Sequence, residues 1–274
     1  MISARTGGPT RAELGRLRLD PLIAGLCRSA THLTAGVAAA RAVLDAGIDI
    51  GFGHWIHSVS VSILDTRLGS GDLRTEITQR ETAADRGFRA VASVADDRTL
   101  AHSQVLFEAP YLGAHQDAAT ATSDTPGPHR ARAVASSRWA AGLPVDIREM
   151  PGAGRAWVRF DRELPDDLLV HTAALALIVD RVIAYGMRDA GDHQPTGYDL
   201  RIHRCFRADD WILVNQRYSR VFGARAFSTY TLSTSLGREI ATASQEVRLS
   251  RAGAKPWTNQ SSLDNMDAAV LAAK

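Results

Sequence analysis

One carboxylate stands in surroundings that are wrong for a purely structural role. Asp180 lies inside residues 167–187 (DLLVHTAALALIVDRVIAYGM), the longest helical signal in the chain, and its helical neighbours on the same face are Ala176, Leu177, Ile183 and Ala184. None of these can pair with it, and a buried ionised carboxylate is costly unless hydrogen-bond donors reach it. Asp180 must therefore find donors elsewhere in the fold, reach a water-filled cavity, or be protonated. The small side chains of Ala173, Ala176 and Ala184 leave room for a substrate beside that face. A carboxylate beside a cavity is a candidate general base or water-orienting group. The plainer alternative puts Asp180 at the rim of a sheet beside Arg181, pointing to solvent.

A second polar residue is out of place in the same way. In the run 239–249 (EIATASQEVRL), strict alternation puts Ala241, Ala243, Gln245 and Val247 on one face, so an amide interrupts an apolar row. Such an amide can hold a water or polarise a carbonyl, or it can be satisfied by neighbouring backbone. Other chemistries find less support. Of the nine histidines, His54, His57, His171 and His203 fall in predicted elements, and no pair has metal-helix spacing, so no metal is expected. There is no Gly-x-Ser-x-Gly elbow for a serine hydrolase. The glycines form neither a P-loop nor a GxGxxG run between strand and helix. His203 and Arg204 could bind an anion, although a solvated strand edge is the commoner fate of such a pair.

These residues need elements to hold them. Residues 34–46 (TAGVAAARAVLDA) read as a first helix with a hydroxyl cap at Thr34 and a stop at Gly47. The helix over 167–187 has Asp166 or Asp167 placed to cap it, and it is too apolar all round for a surface helix, which implies wrapping by a sheet. Strand-like runs follow each helix, at 57–64, 73–82, 88–95 and 100–107 and at 199–206, 211–219, 226–233 and 239–250. Asp96-Asp97 and Leu236-Gly237-Arg238 supply turns. Residues 144–160 look like a further strand pair turning at Pro151-Gly152.

The order helix then meander thus occurs twice, and residue matches support a duplication. Gln79-Arg80 with Arg86-Gly87-Phe88 parallels Gln216-Arg217 with Arg225-Ala226-Phe227, and Ser103-Gln104 parallels Ser244-Gln245. Between the halves, 109–137 is rich in Ala, Thr, Asp, Pro, His and Gly and reads as a linker. The division expected is a first unit over 1–108, a linker over 109–141, a second unit over 142–252 and a tail over 253–274.

Composition sets outer limits. The 274 residues are enough for two small domains or one large one. With 45% hydrophobic and 23% charged residues, neither a disordered chain nor a membrane protein fits, and the longest apolar stretch, 173–179, is far too short to span a bilayer. Lys and Arg total 32 against 30 acidic residues, a net +2 without the basic excess of a nucleic-acid binder. Two cysteines, Cys27 and Cys205, lack metal-ligand spacing, and the first residues lack an apolar signal region, so a reducing cytoplasm is the expected compartment.

At this point the second half resembles the type II acyl-CoA thioesterases. The resemblance rests on HTAALALIVD from His171 to Asp180, on HRCFRADDW from His203 to Trp211, and on ASQE from Ala243 to Glu246. The first half matches more weakly, through Thr34-Ala35-Gly36, His57-Ser58 and Arg86-Gly87-Phe88. The resemblance implies an α+β double hotdog, two units each with a central helix wrapped by an antiparallel sheet, the first serving as scaffold. It implies hydrolysis of acyl thioesters, acyl-CoA plus water giving fatty acid and CoA, by a water that Asp180, Gln245 and a hydroxyl orient. Counting back from His203-Arg204, that hydroxyl falls on Pro195 or, with a shift of one, on Thr196. His203, Arg204 and Ala176 are the candidate substrate contacts. No cofactor is implied, and the expected partner is an acyl-CoA or acyl-carrier thioester, not nucleic acid; the oligomeric state stays open between a monomer and a further homo-oligomer. Two departures stand out: Cys205 follows His-Arg where proline is usual, and the paired glycines of the first helix read Ala35-Gly36. The alternatives are a non-catalytic acyl-thioester or lipid-binding hotdog protein and, ranked below it, an acyl-thioester hydratase or dehydratase. For the last, His171 lies nine residues from Asp180, too far for both to work on one atom.

Overall fold

The computed structural model describes residues 32–51, 54–69, 71–109, 126–133, 143–150, 154–186 and 193–249, together with Pro21. The turn expected at Pro151-Gly152, most of the expected linker and the tail lie outside the described residues.

Helix α1 spans Ala35–Ile50. Thr34 caps it in extended conformation, its hydroxyl accepting the Val37 N–H at 3.3 Å. The expected stop at Gly47 is displaced: the helix runs one turn further and ends at Gly51, whose φ of 81° suits glycine and whose N–H donates to the Gly47 carbonyl. Gly47 has another use, since a Cβ there would lie 2.5 Å from the Leu169 side chain. Helix α2 spans Leu168–Gly186. Of the two capping candidates it is Asp167 whose carboxylate accepts the Leu169 N–H, at 2.8 Å.

The strands are β1 (Trp55–Ile63), β2 (Arg74–Thr82), β3 (Arg86–Ala95), β4 (Arg98–Glu108), β5 (Arg132–Ala133), β6 (Val145–Met150), β7 (Arg155–Phe160), β8 (His193–Ile202), β9 (Ile212–Phe222), β10 (Arg225–Thr234) and β11 (Glu239–Leu249). They form one antiparallel sheet in the order β2-β3-β4-β1-β8-β11-β10-β9-β7-β6-β5. The fold class is α+β. Strand β8 starts six residues earlier than the sequence suggests and ends at Ile202, so Cys205 and Phe206 lie beyond it. The turn expected at Asp96-Asp97 forms, both residues taking positive φ, as a two-residue hairpin requires.

The two halves of the chain meet in the middle of this sheet, where β1 pairs with β8 from Ser58–Arg201 to Ser62–Gly197. Alternation sorts the two faces. Val59, Val61, Tyr198, Leu200, Ala243 and Gln245 are buried, and the helices pack on their side. On the other face Ser60 and Ser244 donate to Asp199. The helices run antiparallel, with Gly36 against Asp180 and, eleven residues away along each, Gly47 against Leu169. No described helix is long and apolar enough to cross a membrane.

Buried Arg89 on β3 ties sheet to helix. It is 4% exposed, and it donates to Asp49 of α1 at 2.6 Å, to the Glu81 and Phe88 carbonyls and to the Thr82 hydroxyl. Burial pushes the Asp49 carboxyl up, but hydrogen bonds from Arg89 and Arg80 and their charges outweigh it, so it lies below the usual carboxylate range. The stability this contributes is present above the ordinary carboxylate pKa and is lost as pH falls through the depressed one. Arg89→Ala is expected to cost about 3 kcal/mol in urea unfolding at pH 7, the low end for a broken buried pair because Arg80 still holds Asp49. An unchanged midpoint would make the network ornamental.

Candidate functional site

The closeness of the two helices is set by glycine. A Cβ at Gly36 would stand 2.5 Å from Asp180 Cβ and 2.7 Å from the Ala176 carbonyl oxygen, so only a hydrogen fits. The start of α1 is therefore pressed onto the turn of α2 that carries Asp180. The segment ahead of α1 is pinned in turn: Leu33 is buried, its N–H donates to the Thr66 carbonyl, and His32 bridges to Arg67.

Asp180 is 5% exposed, which removes the alternative of a carboxylate pointing to solvent. Its donors come from elsewhere in the fold, as the apolar helix demanded. Gln245 Nε2 donates to Oδ1 at 3.4 Å, and the Thr34 hydroxyl and the Gly36 N–H are donors beside the carboxylate that favour its charged form. That N–H is one of the four at a helix N-terminus without an internal partner. The first turn of α1 contains no acid of its own, and the carboxylate that its dipole favours is supplied by α2. Burial nevertheless dominates and pushes the Asp180 carboxyl above its ordinary value, against the nearby Arg181 charge and these three donors. A carboxyl so raised sits nearer neutral pH, where a general base works best.

Beside it opens a cavity of about 420 Å³, lined among others by Thr34, Thr66, Asp180, Arg181, Pro195 and Gln245. Gln245 is 6% exposed and lies on the inward face of β11, on the face that alternation predicts. Opposite it on β8 is Tyr198, 1% exposed, whose hydroxyl is buried without a hydrogen-bond partner among the described residues. Burial and the charges of Asp180 and Asp199 raise its pKa well above the ordinary phenol value, so it stays protonated.

The remaining expected residues do not gather here. Thr196 donates its hydroxyl to the Glu246 carbonyl at 3.2 Å, and Pro195 is the neighbour that lines the cavity. Ala176 is fully buried, and the room expected beside it is filled by α1 at Gly36, whereas the room beside Ala184 is real. His203 is exposed and bonds Thr242 at 3.2 Å. It lies five residues beyond Tyr198, roughly 17 Å along the chain from the level of Gln245. Arg204 follows it, and neither residue lines the cavity beside Asp180. His171 is buried, its Nδ1 accepting the Ala208 N–H at 3.2 Å, and burial lowers its pKa and keeps the ring neutral. Among the described residues no group of three or more His, Cys, Asp or Glu could hold a metal. Gln104, which parallels Gln245 in sequence, is exposed on the outer face of β4, so that match does not reproduce the buried amide.

Sequence reasoning missed Thr34 and Gly36 as parts of the site. Thr34 was legible as a cap and Gly36 as a small residue, but nothing local indicates that a carboxylate 144 residues beyond Gly36 would dock against this turn.

The sequence family described as acyl-CoA thioesterase C-terminal domain matches residues 113–249, half of the chain. Among solved structures, acyl-CoA thioesterase II TesB2 from Mycobacterium marinum is 24% identical with a TM-score of 0.60, over 78% of this chain and 88% of its own. A conserved protein of unknown function with a hot dog fold from Alicyclobacillus acidocaldarius is 16% identical with a TM-score of 0.61, over 80% and 88%. A bifunctional dehydratase-cyclase domain in ambruticin biosynthesis is 18% identical with a TM-score of 0.51, over 86% and 88%. No curated protein matches the chain. At these identities the structural likeness establishes the fold, and the sequence match establishes the kinship: the chain belongs to the acyl-CoA thioesterase family and is a thioesterase.

Proposed function

We propose that the chain is a tandem double hotdog, with a first unit over 1–108 around α1 and a second over 142–252 around α2, and that it hydrolyses acyl-CoA or acyl-carrier thioesters with a water oriented by Asp180 and Gln245. The observation that carries this reading is the buried Asp180–Gln245 hydrogen bond in the wall of the cavity. A water placed there bonds through its oxygen to the thioester carbonyl carbon while its proton passes to the Asp180 carboxylate. The carbon–sulfur bond then breaks, and the thiolate leaves with that proton, giving a carboxylic acid and a free thiol. No covalent enzyme intermediate is needed, because a thioester is already an activated acyl group. Gln245 fixes the water, its amide offering both a donor and an acceptor.

The test is release of free thiol from acyl-CoA substrates of graded chain length. Hydrolysis is expected from the wild type, and Gln245→Ala is expected to lower kcat about fivefold, the value of one neutral hydrogen bond near 1 kcal/mol. Wild-type protein that binds acyl-CoA without releasing thiol would replace this reading by a binding role. Pro195, standing in the cavity wall where the family resemblance puts a hydroxyl, favours that second reading.

A further inference from the structure

The reading above leaves a gap that the family resemblance makes specific. Its water-orienting set needs a hydroxyl, the position that should supply it is Pro195, and the hydroxyl one residue on, at Thr196, is committed to the Glu246 carbonyl. Two other hydroxyls line the cavity, at Thr34 and Thr66. That of Thr66 lies 3.5 Å from His32 Nδ1 and is not among the hydrogen bonds that Asp180 receives. That of Thr34 accepts the Val37 N–H at 3.3 Å, lines the same cavity as Asp180, and favours the charged form of that carboxylate.

We propose that Thr34, from the start of α1 in the other half of the chain, is the positioning hydroxyl of the hydrolytic site, holding the Asp180 carboxylate in the orientation in which it receives the proton of water. The proposal rests on the hydrolytic reading for its consequence and on the Thr34–Asp180 geometry for its substance. Three features make the geometry a built one. Thr34 is immobilised by the cap it forms and by the pinned Leu33 beside it. Its helix is held against Asp180 by the absence of a side chain at Gly36. And Val37 N–H, by donating into the Thr34 oxygen, leaves the hydroxyl proton free to point at the carboxylate, as a hydroxyl with a satisfied acceptor side does. The site is then composite, its base and amide coming from α2 and β11 and its hydroxyl from α1.

Because Thr34 acts through Asp180, its signature is the titration of Asp180. The other titratable groups around that carboxylate are Arg181 on its own helix, Tyr198 on β8, His32 ahead of α1 and His193 at the start of β8. The useful substitutions are Thr34→Gly, which removes the hydroxyl at a cap position that tolerates glycine, and Thr34→Ser, which keeps it. In the full chain, Thr34→Gly is expected to lower kcat about tenfold with KM little changed and to move the acidic limb of the pH–rate profile to higher pH. Thr34→Ser restores both, and Thr196→Ala moves neither. The same comparison is made without substrate by carbon-13 NMR of the Asp180 carboxyl, whose midpoint rises in Thr34→Gly and not in Thr34→Ser. An Asp180 midpoint that ignores Thr34→Gly, or a loss of rate in Thr196→Ala equal to that in Thr34→Gly, overturns the proposal. Absence of hydrolysis by the wild type, with the midpoint still rising in Thr34→Gly, counts instead against the hydrolytic reading and leaves the Thr34–Asp180 pairing standing.

Discussion

Asp180→Asn is expected to lower kcat/KM for acyl-CoA hydrolysis by about 10²–10⁴-fold, the range for loss of an aligned general base, and to leave the protein folded and more stable at neutral pH. The two effects have one cause. Burial raises the Asp180 carboxyl, so the folded state binds a proton more tightly than the unfolded chain does. For an acid shifted in this direction, the favourable contribution is full below its ordinary pKa and is lost as pH rises through the raised one. At pH 8 the ionised carboxylate is therefore a burden on the fold, which the neutral amide of asparagine removes. Urea unfolding of both proteins at pH 5 and pH 8, beside thiol release, separates the cases. A stability gain of the variant that grows with pH, together with loss of turnover, marks a carboxylate kept for chemistry at the expense of stability. A variant that turns over at near the wild-type rate removes Asp180 from the mechanism.

The second large effect belongs to Gly36→Ala. The added methyl meets Asp180 Cβ and the Ala176 carbonyl oxygen, the latter being helix backbone that cannot swing aside, so α1 must back away from α2. Overpacking of this kind costs about 1–3 kcal/mol. A displacement near 1 Å at a reacting group costs about 10²-fold in rate, and here it would strain the Gly36 N–H, the Thr34 hydroxyl and the Asp180–Gln245 pair together. Gly47→Ala provides the control. The nearest atoms its methyl would meet belong to the flexible side chain of Leu169, eleven residues from the site on both helices, so it is expected to leave turnover intact. Equal loss of activity in both variants would mean that helix packing in general, and not the contact at Asp180, sets the rate.

The sequence made the site half visible, for physical reasons. Asp180 and Gln245 could be found because each violates the pattern of its own element, a carboxylate in an apolar helix and an amide in an apolar row. Their meeting was legible only through the family resemblance. The α1 and α2 spans were recovered to within a few residues, apart from the stop at Gly47, where glycine serves close helix packing and not termination. Thr34 and Gly36 were hidden because they obey local rules: a threonine at a cap and a glycine among alanines raise no conflict until a second helix arrives. His203 and Arg204 stand out in the motif, but the motif says nothing of where the chain carries them, and they lie just past the end of β8 at Ile202.

The antiparallel helix pair has a consequence for stoichiometry. Two identical helices crossing on a two-fold axis would be obliged to present the same contact at both ends. Here one end sets Gly36 against a carboxylate and the other sets Gly47 against the isobutyl group of Leu169. Since one polypeptide encodes both ends, each was free to specialise. A saturating substrate analogue should therefore titrate to one equivalent per chain at Asp180, with no second site across the pair to half-fill or to cooperate with.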